Sequence, residues 1–297
     1  MTKPMSTPGM THLYARALLI PKRGDGQVPV RRLLLPDTVA DPGLLARYAE
    51  VCGFRRGDRL PPTFPHIVAF PLAMVLMTKR DFPYRLPGLV HIVNRVEQLR
   101  PVAPGEALSY RVEATQPSPH PKGVTFDILA EAEDRDGAVV WRSVSTFLRR
   151  GAGGSGSGSG AANGSAGAAK QGPEGGELRE AVDADLSQEW SVPAGIGRRY
   201  GAVSGDRNPI HLHPLGARMF GFPTAIAHGM WTKARSLAAL EDVLPDSFAA
   251  QVWFRAPVQL PARVAFRAGG AGPVRPFELN SADGKRHHLY GRIEKVR

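Results

Sequence analysis

Between Gly151 and Gly176 the chain consists almost wholly of Gly, Ser and Ala, in the run GAGGSGSGSG followed by AANGSAGAAK. Side chains this small bury too little apolar surface to offset the entropy of ordering the backbone, so the stretch reads as a flexible tether. The fold must therefore be built from two pieces, residues 1–150 and residues 181–297, joined by a linker over 151–180. Each piece is of ordinary domain size, and nothing in either requires a disulfide or a metal to rescue folding.

The two pieces repeat one pattern. In the second, a helical stretch from His228 to Leu244 precedes the extended run Ala249 to Phe266 and a turn-rich segment from Ala268 to Pro276. Phe277 to Leu279, the turn Ser281-Ala282-Asp283-Gly284 and a last strand, His288 to Val296, complete it. In the first, the apolar stretch Ile67 to Thr78 precedes Val90 to Leu99, Ala107 to Ala114 and Gly123 to Ala132. The turn Arg135-Asp136-Gly137 then leads into Val139 to Leu148. Leu108, Tyr110, Val112 and Ala114 alternate with the period of a half-buried strand, and the two Asp-Gly pairs are hairpin signals. Ile67, Phe70, Met74 and Met77, three and four apart, mark the buried face of a helix. Each half thus reads as one long helix followed by antiparallel strands, an α+β unit whose helix packs into the concave side of a curled sheet. Two such units with their sheets joined, or two separate small α+β domains, both satisfy the pattern.

Composition narrows the function classes. The lone Cys52 excludes an intramolecular disulfide and a Cys-based zinc knuckle, which fits a reducing compartment, and a cytoplasmic location is the expectation. Met1 to Met10 is not followed by a long apolar run, so neither secretion nor membrane insertion is expected. The formal net charge of +11 invites a polyanion. The basic residues are scattered in pairs such as Arg31-Arg32, Arg55-Arg56 and Arg149-Arg150, however, and no nucleic-acid partner is expected. Coenzyme phosphates or an acidic carrier protein would use the same field.

The chemistry is concentrated in Tyr200-Gly-Ala-Val-Ser204-Gly205-Asp206-Arg-Asn208-Pro209-Ile-His211-Leu-His213-Pro214 and the downstream Ala227-His228-Gly229-Met230. The backbone should break at Ser204-Gly205-Asp206, and Pro209 holds Asn208 away from helical geometry, which marks a turn. A second short helix, Pro214 to Phe220, closes at Gly221. Asp206 and His211 lie on opposite sides of the turn. A carboxylate that orients water and an imidazole that exchanges protons near neutral pH could grip one water between them. Equally, Asp206 could cap the turn while His211 packs. Gly229 stands in the first turn of a helix, where backbone N–H groups lack acceptors and could stabilise negative charge on a carbonyl oxygen.

Together these strings resemble the active-site motif of the MaoC-like (R)-specific enoyl-CoA hydratases and 3-hydroxyacyl-thioester dehydratases, over about thirty residues. The resemblance implies a double hot-dog fold, each unit a long helix wrapped by a curved antiparallel sheet. It implies reversible hydration of trans-2-enoyl thioesters, carried by CoA or acyl carrier protein, to (R)-3-hydroxyacyl thioesters, with no cofactor and no metal. By position, Asp206 and His211 match the pair that activates water, and Gly229 matches the residue whose N–H faces the thioester oxygen. Asn208 matches the motif asparagine that orients the turn, while Ser204, Gly205, Pro209 and His228 shape the site. The chain departs from the family at His213, where an acidic or other polar residue is common, and in the wording of Pro223 to Ala227; His213 is read as structural.

The first half has no counterpart of this motif. Its nearest stretch is Thr63-Phe64-Pro65-His66, and His66 without an Asp partner reads as a packing or capping residue. The resemblance assigns this half to accommodating the acyl chain, so that a monomer can suffice for activity, with monomer and homodimer both compatible. A hot-dog acyl thioesterase and a non-catalytic acyl-thioester-binding subunit are the alternatives. Thiol release would mark the first, and binding indifferent to Asp206→Asn the second.

Overall fold

The computed structural model describes residues 9, 10, 13, 14, 17, 22, 26–151, 182–270 and 272–296. Apart from Gly151, the Gly/Ser/Ala-rich linker of 151–180 lies outside the described residues. The first half contains β1 (Arg32–Thr38), α1 (Pro42–Cys52), α2 (Phe64–Thr78), β2 (Leu89–Gln98), β3 (Leu108–Ala114), β4 (Ser118–His120), β5 (Gly123–Glu133) and β6 (Val139–Arg150). The second contains β7 (Ala184–Val192), α3 (Ile196–Ser204), α4 (Pro209–Leu212), α5 (Pro214–Arg218), α6 (Gly229–Ala239), β8 (Phe248–Phe254), β9 (Ala262–Gly269), β10 (Val274–Ser281) and β11 (His287–Lys295).

All these strands form one antiparallel sheet, in the order β1-β3-β5-β6-β2-β8-β11-β10-β9-β7, with β4 paired to β5. Outward from the seam between β2 and β8, the two halves use the same strand order. The seam itself runs from Val93 opposite Trp253 to Gln98 opposite Phe248. The joined sheets are therefore observed, and the alternative of two separate small domains is set aside. α2 is apolar around nearly its whole circumference, the pattern of a helix enclosed on most sides, and it is buried at Phe64, Pro65, Ile67, Ala69 and from Leu72 to Thr78. Trp141 Nε1 donates to Pro62 O at 2.7 Å and Trp231 Nε1 to Val51 O at 3.0 Å, so both of these buried indole N–H groups are satisfied.

α6 differs from α2 by carrying a fully buried lysine. Lys233 Nζ donates to Asn94 Oδ1 at 2.5 Å, Asn94 O at 3.2 Å and Ala250 O at 2.8 Å. Asn94 in turn donates to Ser143 Oγ at 3.1 Å and Ser145 Oγ at 3.0 Å. Asn94 lies on β2 and Ala250 on β8, so the one side-chain amine spans the seam. Burial, and then the nearby Arg95, hold its pKa well below the ordinary lysine value.

Several boundaries differ from expectation. The extended run Ala249 to Phe266 is two strands: Pro257 and Pro261 lack N–H donors and lie in the break between β8 and β9. The helix expected from His228 to Leu244 ends at Ala239 and is followed by a 3₁₀ turn, Glu241–Val243. Phe277 to Leu279 is the middle of the longer β10. β1, α1, β4 and β7 lacked a clear periodic signal and were not anticipated. Gly137 and Gly284 adopt φ of 80° and 69°, so both Asp-Gly turns use the left-handed region that glycine tolerates. Among the described residues no helix is long and apolar enough to cross a membrane.

Candidate active site

α3 ends at Gly205, whose φ of 76° lets its N–H close back on Gly201 O at 3.1 Å and turns the chain sharply into Asp206. Ser204 Oγ accepts from the Asp206 N–H at 3.2 Å, and Asp206 Oδ1 accepts from the Asn208 N–H at 3.2 Å. Pro209 keeps Asn208 extended, and the Asn208 side chain caps α4 by accepting from the Ile210 N–H at 3.4 Å. The single turn of α4 then carries His211 back toward Asp206.

His211 Nδ1 lies 2.8 Å from Ile226 O, a carbonyl that can only accept, so Nδ1 carries the proton and Nε2 keeps its lone pair. That carbonyl is fixed by its own strand-like neighbours: the Ile226 N–H donates to Ile210 O at 3.0 Å and the Ala227 N–H to Val258 O at 2.9 Å. His228 stacks on His211 with ring centroids 3.7 Å apart and planes inclined by 25°. By the same logic, its Nε2 donates to Asp206 O at 2.9 Å, and it lies 3.8 Å from Asp206 Oδ2. Its Nδ1 is buried without a hydrogen-bond partner. Gly229 opens α6, where its N–H has no intrahelical acceptor. A Cβ there would lie 3.0 Å from the Phe254 ring, so only glycine fits comfortably between helix and ring.

Burial alone would raise the Asp206 pKa, but the neighbouring His228 and His211, the Tyr14 hydroxyl and the Asn208 N–H bring it below the usual carboxylate value. Burial depresses His211, opposed by Asp206 and the Ile226 carbonyl, and depresses His228 to about 3 with help from His211. At neutral pH the site therefore holds one carboxylate and two neutral imidazoles. Asp206, His211, His228 and Gly229 all line a cavity of about 570 Å³ that continues between Phe70, Ala73 and Met77 of α2 and Ile128 and Phe147 of the first-half sheet.

The structure thus brings Asp206, His211 and His228 together, with polar atoms of the three within 4.8 Å of one another, and sets Gly229 on the same cavity. Ser204, Gly205, Asn208 and Pro209 form the turn that positions them. His213 caps α5, its Nδ1 accepting from the Leu215 N–H at 3.2 Å, as its structural reading anticipates. His66 does not cap α2, whose N-cap is Thr63; it faces the cavity, and burial lowers it to about 4. Tyr14 was missed: its hydroxyl donates to Asp206 Oδ1 at 2.5 Å across 192 positions of sequence, and no local pattern announces it. His91, whose Nε2 is buried without a partner, and the Ile226 carbonyl were missed for the same reason.

Among the described residues, Asp206, His211 and His228 are also the grouping whose atoms could approach a shared cation. Stacked imidazoles direct their lone pairs along nearly parallel planes, which converge poorly on one ion. The donor set therefore fits proton transfer better than metal ligation.

Residues 180–284 match the family model described as MaoC like domain. Over 288 residues the chain is 37% identical to 3-hydroxyacyl-thioester dehydratase X of Mycobacterium tuberculosis, covering 97% of each protein. The crystal structure of HtdX from the same organism superposes with a TM-score of 0.73 at 30% identity, over 90% of this chain and 100% of that one. A MaoC-like dehydratase from Phytophthora capsici, 19% identical, shares the fold with a TM-score of 0.72 over 93% of this chain and 98% of its own.

Proposed function

Because this chain belongs to the MaoC-like family of double hot-dog dehydratases and hydratases, we propose that it reversibly hydrates trans-2-enoyl thioesters of CoA or acyl carrier protein to (R)-3-hydroxyacyl thioesters. The observation that carries the reading is the convergence of an ionised Asp206, the unprotonated Nε2 of His211 and the first N–H of α6 on one cavity. Asp206 and His211 hold a water between a carboxylate oxygen and a nitrogen lone pair. As the water oxygen bonds to Cβ, one of its protons passes to this pair and is returned to Cα. The Gly229 N–H, at the positive end of α6, receives the enolate charge that collects on the thioester oxygen meanwhile. Dehydration retraces the same path with the same residues.

The first half contributes volume for the acyl chain, through Phe70, Ala73 and Met77. Arg150, Arg207 and Arg255 line other parts of the cavity wall and supply positive charge suited to the phosphates of a carrier. The test is to mix the protein with trans-2-enoyl-CoA substrates of several lengths, follow loss of the conjugated thioester, resolve the enantiomer formed and measure free thiol in parallel. Asp206→Asn and His211→Ala should each lower turnover at least about a hundredfold. Wild-type turnover in both would sink the mechanism, and thiol release without loss of conjugation would replace it with thioester hydrolysis.

A further inference from the structure

Tyr14 belongs to the segment that precedes β1, outside the helix-and-sheet pattern the two halves repeat. Leu13 and Ala17 of that segment are buried, and Met10 packs against Gly205, where an added Cβ would lie 3.1 Å from Met10 Cγ. Farther on, Lys22 Nζ donates to Met77 O at 2.6 Å and Lys79 O at 2.8 Å, satisfying carbonyls at the end of α2. The segment is thus anchored to both halves of the molecule. Between the anchors, the Tyr14 side chain lines the cavity, and its hydroxyl donates to Asp206 Oδ1 at 2.5 Å.

A carboxylate has two oxygens, and here they are unlike. Oδ1 accepts from Tyr14 and from the Asn208 N–H, while Oδ2 faces His228 Nε2 at 3.8 Å. We infer that Tyr14 is a positioning residue for Asp206, holding Oδ1 so that Oδ2 alone is presented to the water and the reacting carbons. This rests on the proposed role of Asp206. The hydroxyl also steadies the ionised form of a carboxyl that burial would otherwise neutralise. Its own pKa is driven upward, by burial and then by the charge of Asp206, so it remains a donor throughout the working pH range. The other titratable groups around Asp206 are His211 on α4, His228 at the start of α6 and Tyr200 on α3, with His66 on α2 and His91 on β2 farther off. None of these donates to Oδ1.

Tyr14→Phe removes the hydroxyl and keeps the buried ring. In protein labelled with ¹³C at the Asp side-chain carboxyls, the Asp206 resonance is the one lost in Asp206→Asn. Its titration midpoint should rise by about one pH unit in Tyr14→Phe. The enoyl-thioester kcat should fall about tenfold with little change in KM and in melting temperature. Leu13→Ala, which loosens the segment without touching the hydroxyl, should move the midpoint the same way. An unmoved Asp206 midpoint in both variants overturns the inference, whatever the activity shows. A lower melting temperature with an unmoved midpoint overturns it too, because a merely structural tyrosine would behave so. A shifted midpoint in a protein inactive on every enoyl thioester supports the positioning role while refuting the proposed reaction, so the two failures are distinguishable.

Discussion

Gly197 offers a lever on His211 from outside the motif. It lies in the first turn of α3, and a Cβ built there would stand 1.9 Å from His211 O and 2.9 Å from His211 C. An ordinary C···O contact needs about 3.3 Å, so Gly197→Ala requires a separation of about 1.4 Å between α3 and the single turn of α4. The atom in the way is backbone, which cannot swing aside as a side-chain end does. Overpacking of this kind costs about 1–3 kcal/mol of stability. Displacing a proton-transfer group by about 1 Å costs roughly a hundredfold in rate, or about 2.7 kcal/mol of barrier. Expected, then, is a folded Gly197→Ala protein with a modestly lower melting temperature and kcat on enoyl thioesters reduced about a hundredfold. Gly195→Ala is the control, since a Cβ there meets only Arg198 Nη2 at 3.8 Å. The assay is enoyl absorbance at saturating substrate, with thermal unfolding of the same samples. Gly197→Ala turning over at the wild-type rate would show that the α3–α4 packing does not hold His211 in a working position.

Ala73→Phe places a ring on the α2 wall of the cavity and should shift preference toward short acyl chains by about tenfold or more in kcat/KM. An unchanged chain-length profile would remove α2 from the acyl path. Lys233→Met leaves Asn94 Oδ1 without its donor and should lower stability by about 1–3 kcal/mol in urea titrations, so an equal or higher midpoint would argue against the seam role of this amine. His66, His91 and His228 titrate near 4, 3 and 3 in the folded protein, chiefly through burial, against about 6.5 unfolded. The unfolded chain therefore binds more protons than the native one below about pH 6.5. Stability should fall as pH drops toward 4, by up to about 1.4 kcal/mol per pH unit for each histidine. A melting temperature flat from pH 7 to pH 5 would contradict their burial as neutral rings.

What was legible in the sequence is what local chemistry writes locally. Asn208-Pro209 announces the bend, His228-Gly229 the start of α6, and the period-two alternation of Leu108 to Ala114 the strand β3. The positions of Asp206 and His211 follow because both lie within six residues of one turn. Tyr14 does not follow, since its pairing with Asp206 depends on where an N-terminal segment crosses a finished fold. β1 is similarly opaque: in RLLLPDT the Pro36 and the register shift between Leu35 and Thr38 break the alternation that would have declared it. The same break blunts an edge strand against foreign pairing. Lys233 misleads in the other direction, because a charged residue in the middle of a helix normally marks a solvent face.

The seam between β2 and β8 has a consequence for how the molecule behaves on dilution. Two copies of a single unit joined in this way would separate below their dissociation constant and lose any site that needed both. Here each strand's partner is carried on the same polypeptide, so their encounter has an effective concentration fixed by the chain and independent of how many molecules are present. Symmetry is released by the same connection. One copy of a site can keep its aspartate and histidine while the other gives up its chemistry, because a change in one half is no longer written into both.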